Sequence, residues 1–555
     1  MADIFDLIVI GAGWYGLAAA KAYIELHPDE KILITEAGSS FGGTWSKERL
    51  YAGLKSNNLK GSYEHPDFPM SEDVYGVKSG QHIPAETLHR YLSDLATKFG
   101  IAERTRFNMT TTQIESRPDD TWFVTMVSKQ EQEEVLHSKK LIVATGLTSQ
   151  PNLPTYAGQE TFTPAFFHAK DFCARGDILH TAKKAAVVGA GKSSFDVAYA
   201  FATSGAKVDL IIRPTGQGPV WICPPYVTPF KRMMEELLST RLLTWFSPVP
   251  WGDEDGFGVA RSFLHKTGIG RFIVDNFWNQ ISNEVYEAHG YHDHPELFKL
   301  KPWNSAFWTG SGVGIHNYPT NFFDLVKQGQ IRVHIADIKQ LEGNYIQLTT
   351  GEKLDTDALI CATGWKKGSG LKFVNFDTGL QKTEAQTRSL IDQADKEVRD
   401  MFPILRAQPV LRTPAPSKEP LRNYRFIVPT QSFFKRNIAF AGMVSTVTTA
   451  VFANAQGLWI SAYLDGKLER TPKNQEEVIK KVMLDTQFQK WRYPCGYGAS
   501  IPDFAFDSIP YVDLLLNDLG IKPHRKSTQI TEIMEPYKPR DYKGLTQQWL
   551  ESHST

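Results

Sequence analysis

Two glycine clusters are the residues whose types and spacing carry chemistry. In Gly11-Ala12-Gly13-Trp14-Tyr15-Gly16 the three glycines suit, in order, a tight turn, an open backbone and a close-packed helix. That order lets a pyrophosphate settle at a helix N-terminus, where free N–H groups and the helix dipole favour negative charge. Trp14 and Tyr15 lie inside the turn and are counted with it as cofactor-binding. Glu36 stands 25 residues after Gly11, near the place from which an acid hydrogen-bonds a ribose hydroxyl. The second cluster, Gly189-Ala190-Gly191-Lys192-Ser193-Ser194-Phe195-Asp196, repeats the pattern with Ser194 in place of the third glycine. Its unit closes on Arg213, 24 residues after Gly189. A guanidinium there pairs with a 2′-phosphate that an acid repels, so NADPH is expected in preference to NADH. Taken alone, Arg213 also reads as a solvated basic residue. Gly191-Lys192-Ser193 has the ending of a phosphate-binding P-loop, but Ala186 stands where that loop needs its first glycine. A triphosphatase is set aside on that ground.

The elements that must position these residues follow from apolar patterning. Leu7 to Ile10 reads as a buried strand, Leu17, Ala20 and Ile24 mark a helix, and Lys31 to Thr35 a second strand. The later unit repeats this with Ala186 to Val188, a helix through Val197, Ala200 and Phe201, and a strand from Lys207 to Ile212. Two more buried strands end alike, in Ala144-Thr145-Gly146 and Ala362-Thr363-Gly364, so Gly146 and Gly364 join the two candidate sites. Phe41-Gly42-Gly43-Thr44-Trp45 suits a backbone pressed against a planar ligand, with Thr44 and Trp45 bounding it; an ordinary glycine turn is the plainer reading. Pro84 opens a helix with apolar residues at Leu88, Tyr91, Leu92, Leu95 and Phe99. Thr105 to Ser116 and Trp122 to Ser128 read as paired strands.

A chain of 555 residues is too long for one core. The expected fold class is α/β: two Rossmann-like dinucleotide-binding domains, the second inserted in the first, with a helical aromatic-rich insertion. The first part of one domain spans 1–165, the second domain 166–340 with the insertion at about 216–310, and 341–555 completes the first domain and ends in a C-terminal wrap. Six of the 13 tryptophans fall in the insertion, as its own core or as a lid over an apolar substrate. The segment from Lys481 onward is expected to wrap the surface. Two units that end in opposite charges call for different cofactors, and the economical pair is FAD on the first and NADPH on the second.

The counts exclude several other classes. Lys+Arg and Asp+Glu are both 61, so no nucleic-acid partner is implied. Cys173, Cys223, Cys361 and Cys495 form no CxxC pair, which argues against a dithiol redox centre and a metal site and fits a reducing compartment. No apolar run of 18 residues and no signal peptide is read, so a cytoplasmic protein without a transmembrane segment is expected. Oligomeric state is not legible.

From about residue 5 to about 465 the chain resembles the flavin-containing monooxygenases, the flavoproteins that include N- and S-oxygenases and Baeyer–Villiger monooxygenases. The resemblance rests on the first glycine cluster through Leu17, on Gly43-Thr44-Trp45, on the second cluster through Asp196, and on Ala362-Thr363-Gly364. It implies NADPH reducing FAD, O₂ adding at the flavin C4a, and the resulting hydroperoxide oxygenating a small apolar organic metabolite, in secondary metabolism. Phe162 to Phe172 is similar to the linker fingerprint of the family, with Pro164 replacing a glycine and Phe172 at the terminal aromatic. This leans toward oxygenation of heteroatoms, while Baeyer–Villiger insertion and epoxidation stay open. His168 in that linker serves equally as a hydrogen-bonding post. Tyr51 to Lys60 resembles the family segment that places an Asn beside the flavin, which implies Asn57 as the catalytic residue, flanked by Ser56 and Asn58 as cofactor-binding. A turn role for Asn57 is the alternative. A non-enzymatic flavin redox sensor is the other class compatible with two such lobes.

Overall fold

The computed structural model describes residues 4–227, 232–380, 382–412 and 419–553. Residues 228–231 of the expected insertion thus lie outside the described residues.

Ile4–Ile10 runs through the middle of an eight-stranded sheet. Its parallel neighbours are Ile32–Thr35 on one side and the end of Glu133–Val143 on the other, and Thr105–Arg106 extends the sheet beyond Ile32–Thr35. Leu7, Ile8 and Val9 are fully buried, as befits a parallel strand covered on both faces. Glu133–Val143 changes partner along its length. Its beginning pairs antiparallel with Trp122–Ser128, and its end pairs parallel with Ile438–Phe440. The last of these strands comes from far along the chain, so the first lobe closes only after the second has been made.

The second sheet is wholly parallel, in the order Ile331–Ile335, Lys207–Ile212, Lys184–Val188, Ala358–Cys361, Ala165–His168. Ala358–Cys361 is therefore a strand of the second lobe, and the boundary expected at 340 moves beyond it. The expectation failed because a buried parallel strand looks the same whichever lobe it joins; its partners are not written in its own residues. Tyr345–Leu348 joins neither main sheet, but a small antiparallel one with Ile338–Glu342 and Lys353–Asp355.

Helix Trp14–Leu26 packs against helix Thr449–Leu464. Gly457 makes this approach possible: a Cβ there would lie 2.7 Å from the Ala18 carbonyl oxygen. The insertion is built on helices Met234–Leu238, Gly258–Lys266 and Gly268–His289. Thr267 caps the last of these by accepting from Gly270 N–H, and Gly290 ends it in the left-handed region.

The C-terminal segment does not wrap the surface. Helix Ser508–Asp518 is buried on nearly every residue, and Phe504, Tyr511 and Trp549 are buried with it. Trp251 of the insertion packs edge-on against Phe488 and Tyr511, so insertion and tail share one aromatic core. Large aromatic rings release most free energy when water is excluded from both faces, and here each segment supplies the cover the other lacks.

Candidate active site between two nucleotide motifs

The two glycine motifs are built alike, atom for atom, at four places. Gly11 N–H donates to the Thr35 carbonyl at 2.7 Å and Gly189 N–H to Ile211 at 3.0 Å. Ala144 N–H donates to Ile10 and Ala362 N–H to Val188, both at 2.8 Å. Gly11 and Gly189 have φ of +108° and +141°, and a Cβ on either would sit 2.4 Å from the carbonyl oxygen of Ala144 or Ala362. Only glycine meets both demands. At Gly146 and Gly364, which end the Ala-Thr-Gly strands with positive φ, nothing lies within 4 Å of a Cβ position. The backbone at each motif is thus pressed onto its strand below and open above, which is the shape a pyrophosphate requires.

In the first motif Gly16 lets the helix pack, since a Cβ would fall 1.9 Å from the Gly11 carbonyl oxygen. Glu36 accepts from Ala12 N–H and Gly38 N–H, both at 2.8 Å, one on each carboxylate oxygen. Two bonds hold the carboxylate still and leave lone pairs for a ribose hydroxyl. Gly42 N–H donates to the Ala12 carbonyl, and Gly43 lies across Gly13, 3.6 Å from a Cβ built there. Thr44 Oγ1 lies 3.1 Å from Thr148 Oγ1, and Trp45 Nε1 donates to the Tyr63 hydroxyl at 3.0 Å. The Trp14 ring is buried against Tyr63 and Tyr91, and the Tyr15 ring packs over Gly442. Both side chains belong to the core, so what they offer outward is the free N–H of a first helical turn. These features fit FAD.

The second motif departs in one respect. Ser194 Oγ donates to the Gly191 carbonyl at 2.6 Å, so its hydroxyl is satisfied within the turn. Gly191 has no neighbour within 4 Å of a Cβ position, and Ser193 is exposed beside it. Strand register places Ile10 opposite Thr35 and Val188 opposite Ile211. Ile212 therefore takes the position of Glu36, and Arg213 comes one residue later, exposed and without an ion-pair partner among the described residues. An apolar residue where the acid would be, followed by a free guanidinium, fits a 2′-phosphate. Lys192 and Asp196 face the protein. Lys192 Nζ bonds Asp196, the Asn317 Oδ1 at 2.8 Å and the Tyr318 hydroxyl at 3.0 Å, and Tyr318 donates to Asp196 at 2.8 Å.

Asn57 stands where the two lobes meet. It lies on strand Lys55–Leu59, and its Oδ1 accepts from Ile315 N–H at 3.3 Å. Next to it, Asn317 Nδ2 donates to the Ser56 carbonyl at 3.3 Å, and Asn317 also holds Lys192. The chain Asn57, Ile315, Asn317, Lys192 thus joins the strand of the first lobe to the helix N-terminus of the second. With Oδ1 taken, Asn57 presents its NH₂ as a donor. His82 and His316, close enough to Lys192 to feel its charge, have pKa values lowered by burial first and by Lys192 next. Both stay neutral, so no imidazolium stands near this amide at neutral pH.

The neighbours of Asn57 serve the scaffold. Ser56 is fully buried, and its Oγ bonds the Asn58 carbonyl and accepts from Ile83 N–H. Asn58 Nδ2 bonds Glu235 and the Val447 carbonyl. Glu235, which sequence reasoning missed, is buried and also accepts from Leu59 N–H at 2.8 Å and Ser62 Oγ at 2.7 Å. Burial raises its pKa to about 7 against these three donors. No local signal marks it, since its partners lie more than 170 residues away. His168 is a post of the linker: Nε2 lies 3.0 Å from the Gly364 carbonyl, and Nδ1 accepts from Lys170 N–H at 3.0 Å.

A cavity of about 410 Å³ opens beside this junction. Leu238, Phe277, Trp278, Val313, Val447 and Phe506 supply much of its wall. Val447 carries the carbonyl that holds Asn58, and Val313 lies on the strand that reaches Asn57 through Ile315.

Residues 8–242 match a family model described as pyridine nucleotide-disulphide oxidoreductase. Over 99% of its length the chain is 32% identical to FAD-dependent monooxygenase rstn6 of Aspergillus nomiae, covering 98% of that protein. It is 33% identical, with the same coverage on both sides, to FAD-dependent monooxygenase resA of Aspergillus sclerotiorum. Among solved structures, an open form of cyclohexanone monooxygenase superposes with a TM-score of 0.62 at 16% identity, over 93% of this chain and 98% of that one. The NADP⁺-bound cyclohexanone monooxygenase of Rhodococcus sp. Phi1 gives a TM-score of 0.59 at 16% identity, over 94% and 98%. At such identity the structural matches establish the shared two-lobe fold. The full-length relatives establish more: the chain belongs to the FAD-dependent monooxygenases.

Proposed function

We propose that this monooxygenase uses NADPH and O₂ to oxygenate a small apolar organic metabolite in secondary metabolism, at the junction of its two lobes. The observation that carries the reading is the hydrogen-bonded chain from Asn57 through Ile315 and Asn317 to Lys192, which ties the Asn57 strand of the first lobe to the helix start of the second nucleotide motif. FAD, held by Gly11, Gly13, Gly16 and Glu36 and bounded by Thr44 and Trp45, supplies hydride acceptance and oxygen activation when bound. Gly189, Gly191, Ser193 and Arg213 serve NADPH, with Lys192 and Asp196 fixing the helix start. The Asn57 NH₂ donates to the reacting oxygen and offers no acidic proton that would release peroxide. The apolar cavity keeps water from the reaction and receives the substrate. The fungal relatives, named FAD-dependent monooxygenases, support a place in secondary metabolism.

Anaerobic mixing with NADPH followed by air tests this directly. The purified protein is expected to be yellow, to bleach with NADPH and to recover colour with O₂. Arg213→Ser should raise the KM for NADPH tenfold or more and leave NADH turnover nearly unchanged. A colourless protein that takes up no flavin would sink the reading. Equal bleaching by NADH would sink the role of Arg213 alone.

A further inference from the structure

Strand Lys55–Leu59, which carries Asn57, meets its neighbour His82–Pro84 in register only at its two ends. Lys55 lies opposite Pro84 and Leu59 opposite His82, with a register shift between them. Pro84 has no N–H to donate, so side chains fix the backbone on either side of Asn57. On one side Ser56 is held by His82, Ile83 and Asn317. Its carbonyl lies 2.9 Å from His82 Nδ1 and accepts from Asn317 Nδ2, and its Oγ accepts from Ile83 N–H at 2.9 Å. On the other side Asn58 and Leu59 rest on Glu235. Asn58 Nδ2 donates to Oε1, and Oε2 accepts from Leu59 N–H at 2.8 Å and from Ser62 Oγ at 2.7 Å.

Glu235 is 6% exposed, and no cation among the described residues lies within ion-pair distance of it. Its chain neighbour Glu236 bonds Lys538 instead. A carboxylate held out of water without a cation is costly, and three donors converging on its two oxygens offset that cost. Glutamine cannot take its place. Whichever way the amide is turned, its NH₂ faces a donor, Asn58 Nδ2 on one side or Leu59 N–H on the other. Helix Met234–Leu238 also puts Met234, Leu237 and Leu238 into the cavity wall. The second acceptor of Asn58 Nδ2 is the carbonyl of Val447, another wall residue.

We infer that Glu235 is a positioning residue for the reacting amide: it fastens the Asn58 end of the strand to the cavity wall and so holds the Asn57 NH₂ in one direction. The inference rests on the role proposed for Asn57 and deepens it by naming what aims that side chain. Ile315 N–H fixes the Asn57 oxygen at 3.3 Å, from a strand whose Val313 lines the same cavity. Asn57 is thus tied to the wall through its own oxygen and through its neighbour. With the second tie cut, the strand slackens and the amide is free to turn.

The test is a double-mutant cycle on the FAD-loaded enzyme, read as the rate of peroxide release in air at saturating NADPH with no organic substrate. Asn57→Ala should raise that rate about fivefold or more, and Glu235→Gln about threefold or more, with flavin content and the KM for NADPH within about twofold of wild type. In the Asn57→Ala background Glu235→Gln should add nothing, because it acts through the amide already removed. A second reading needs no turnover: hydrogen exchange of residues 55–62, followed by mass spectrometry, should run about tenfold faster in Glu235→Gln. Peroxide release at the wild-type rate in Glu235→Gln, beside a raised rate in Asn57→Ala, overturns the inference and leaves the role of Asn57 intact. A further rise in the double variant overturns it as well, since Glu235 then acts apart from Asn57. An unchanged rate in Asn57→Ala sinks the role of Asn57 and the inference with it. Should Glu235→Gln fail to fold, Ser62→Ala removes one of the three donors and decides in its place. A rise of about twofold that vanishes in the Asn57→Ala background supports the inference, and no rise overturns it.

Discussion

At the scale of single residues, the junction contrasts an amide that must stay neutral with a carboxyl group that burial keeps partly protonated. Asn57 offers an NH₂ because Ile315 N–H occupies its oxygen. Asn57→Ala removes the donor together with the bond its oxygen accepts from Ile315 N–H, so product formed per NADPH should fall several-fold while peroxide release rises. A peroxide assay beside oxygen uptake reads this, and unchanged coupling would remove Asn57 from the mechanism. Glu235 is the opposite case. Its pKa is raised to about 7, with burial as the main cause, so the folded state binds a proton more readily than the unfolded one. The stability it contributes is fully present below pH 4.5 and is lost as pH rises through about 7. Ser62 permits both forms, since its hydroxyl also lies 2.9 Å from the Leu59 carbonyl and can accept a hydrogen bond from protonated Glu235 while donating there. Glu235→Gln should therefore flatten the fall in melting temperature between pH 5 and pH 8, a swing of roughly 3 kcal/mol in wild type. An identical pH profile in the variant would show that Glu235 titrates normally.

At the scale of elements, each glycine motif depends on contact with the strand beneath it. Gly189→Ala places a Cβ 2.4 Å from the Ala362 carbonyl oxygen at a φ of +141°, where backbone and strand must both shift. The strain falls on the second lobe alone. NADPH affinity should drop at least tenfold while flavin content stays at one per chain, measured by absorbance and coenzyme titration. Loss of flavin together with NADPH would mean that the lobes do not respond separately. These motifs were legible in the sequence because each glycine answers a local demand, a positive φ or a missing Cβ, and such demands are written at the residue itself. Helix Ala85–Lys98 was legible for the same reason, through spacing. Ala358–Cys361 was assigned to the wrong lobe and Ser508–Asp518 to the surface, because strand partners and cover are set by distant segments. Glu235 escaped notice likewise: a charged residue reads as exposed until the fold buries it.

At the scale of the whole molecule, insertion and tail are fastened by buried charges as well as by rings. Arg241 and Arg261 from the insertion meet Asp255, and Arg241 also meets Asp513 and Glu532 of the tail, all with little or no exposure. The Tyr537 hydroxyl adds a bond to each of Arg241 and Glu532. Such a network stabilises little over apolar packing, yet breaking it from one side is expensive, about 3–5 kcal/mol, because the remaining carboxylates stay buried without their cation. Burial raises the Asp513 pKa to about 6 even with Arg241 beside it, so the stability this carboxyl contributes is present below pH 4 and lost as pH rises through 6. Arg241→Met should shift that loss upward and deepen it: the variant should approach wild-type stability at pH 5 and fall well below it at pH 8. Adding Asp513→Leu to Arg241→Met should restore part of the melting temperature at pH 8, since it removes the carboxylate that the first change strands. Thermal melts of the FAD-loaded enzyme at both pH values read the outcome. A double variant less stable than the single at pH 8 would show that Asp513 is not the group that the loss of Arg241 strands.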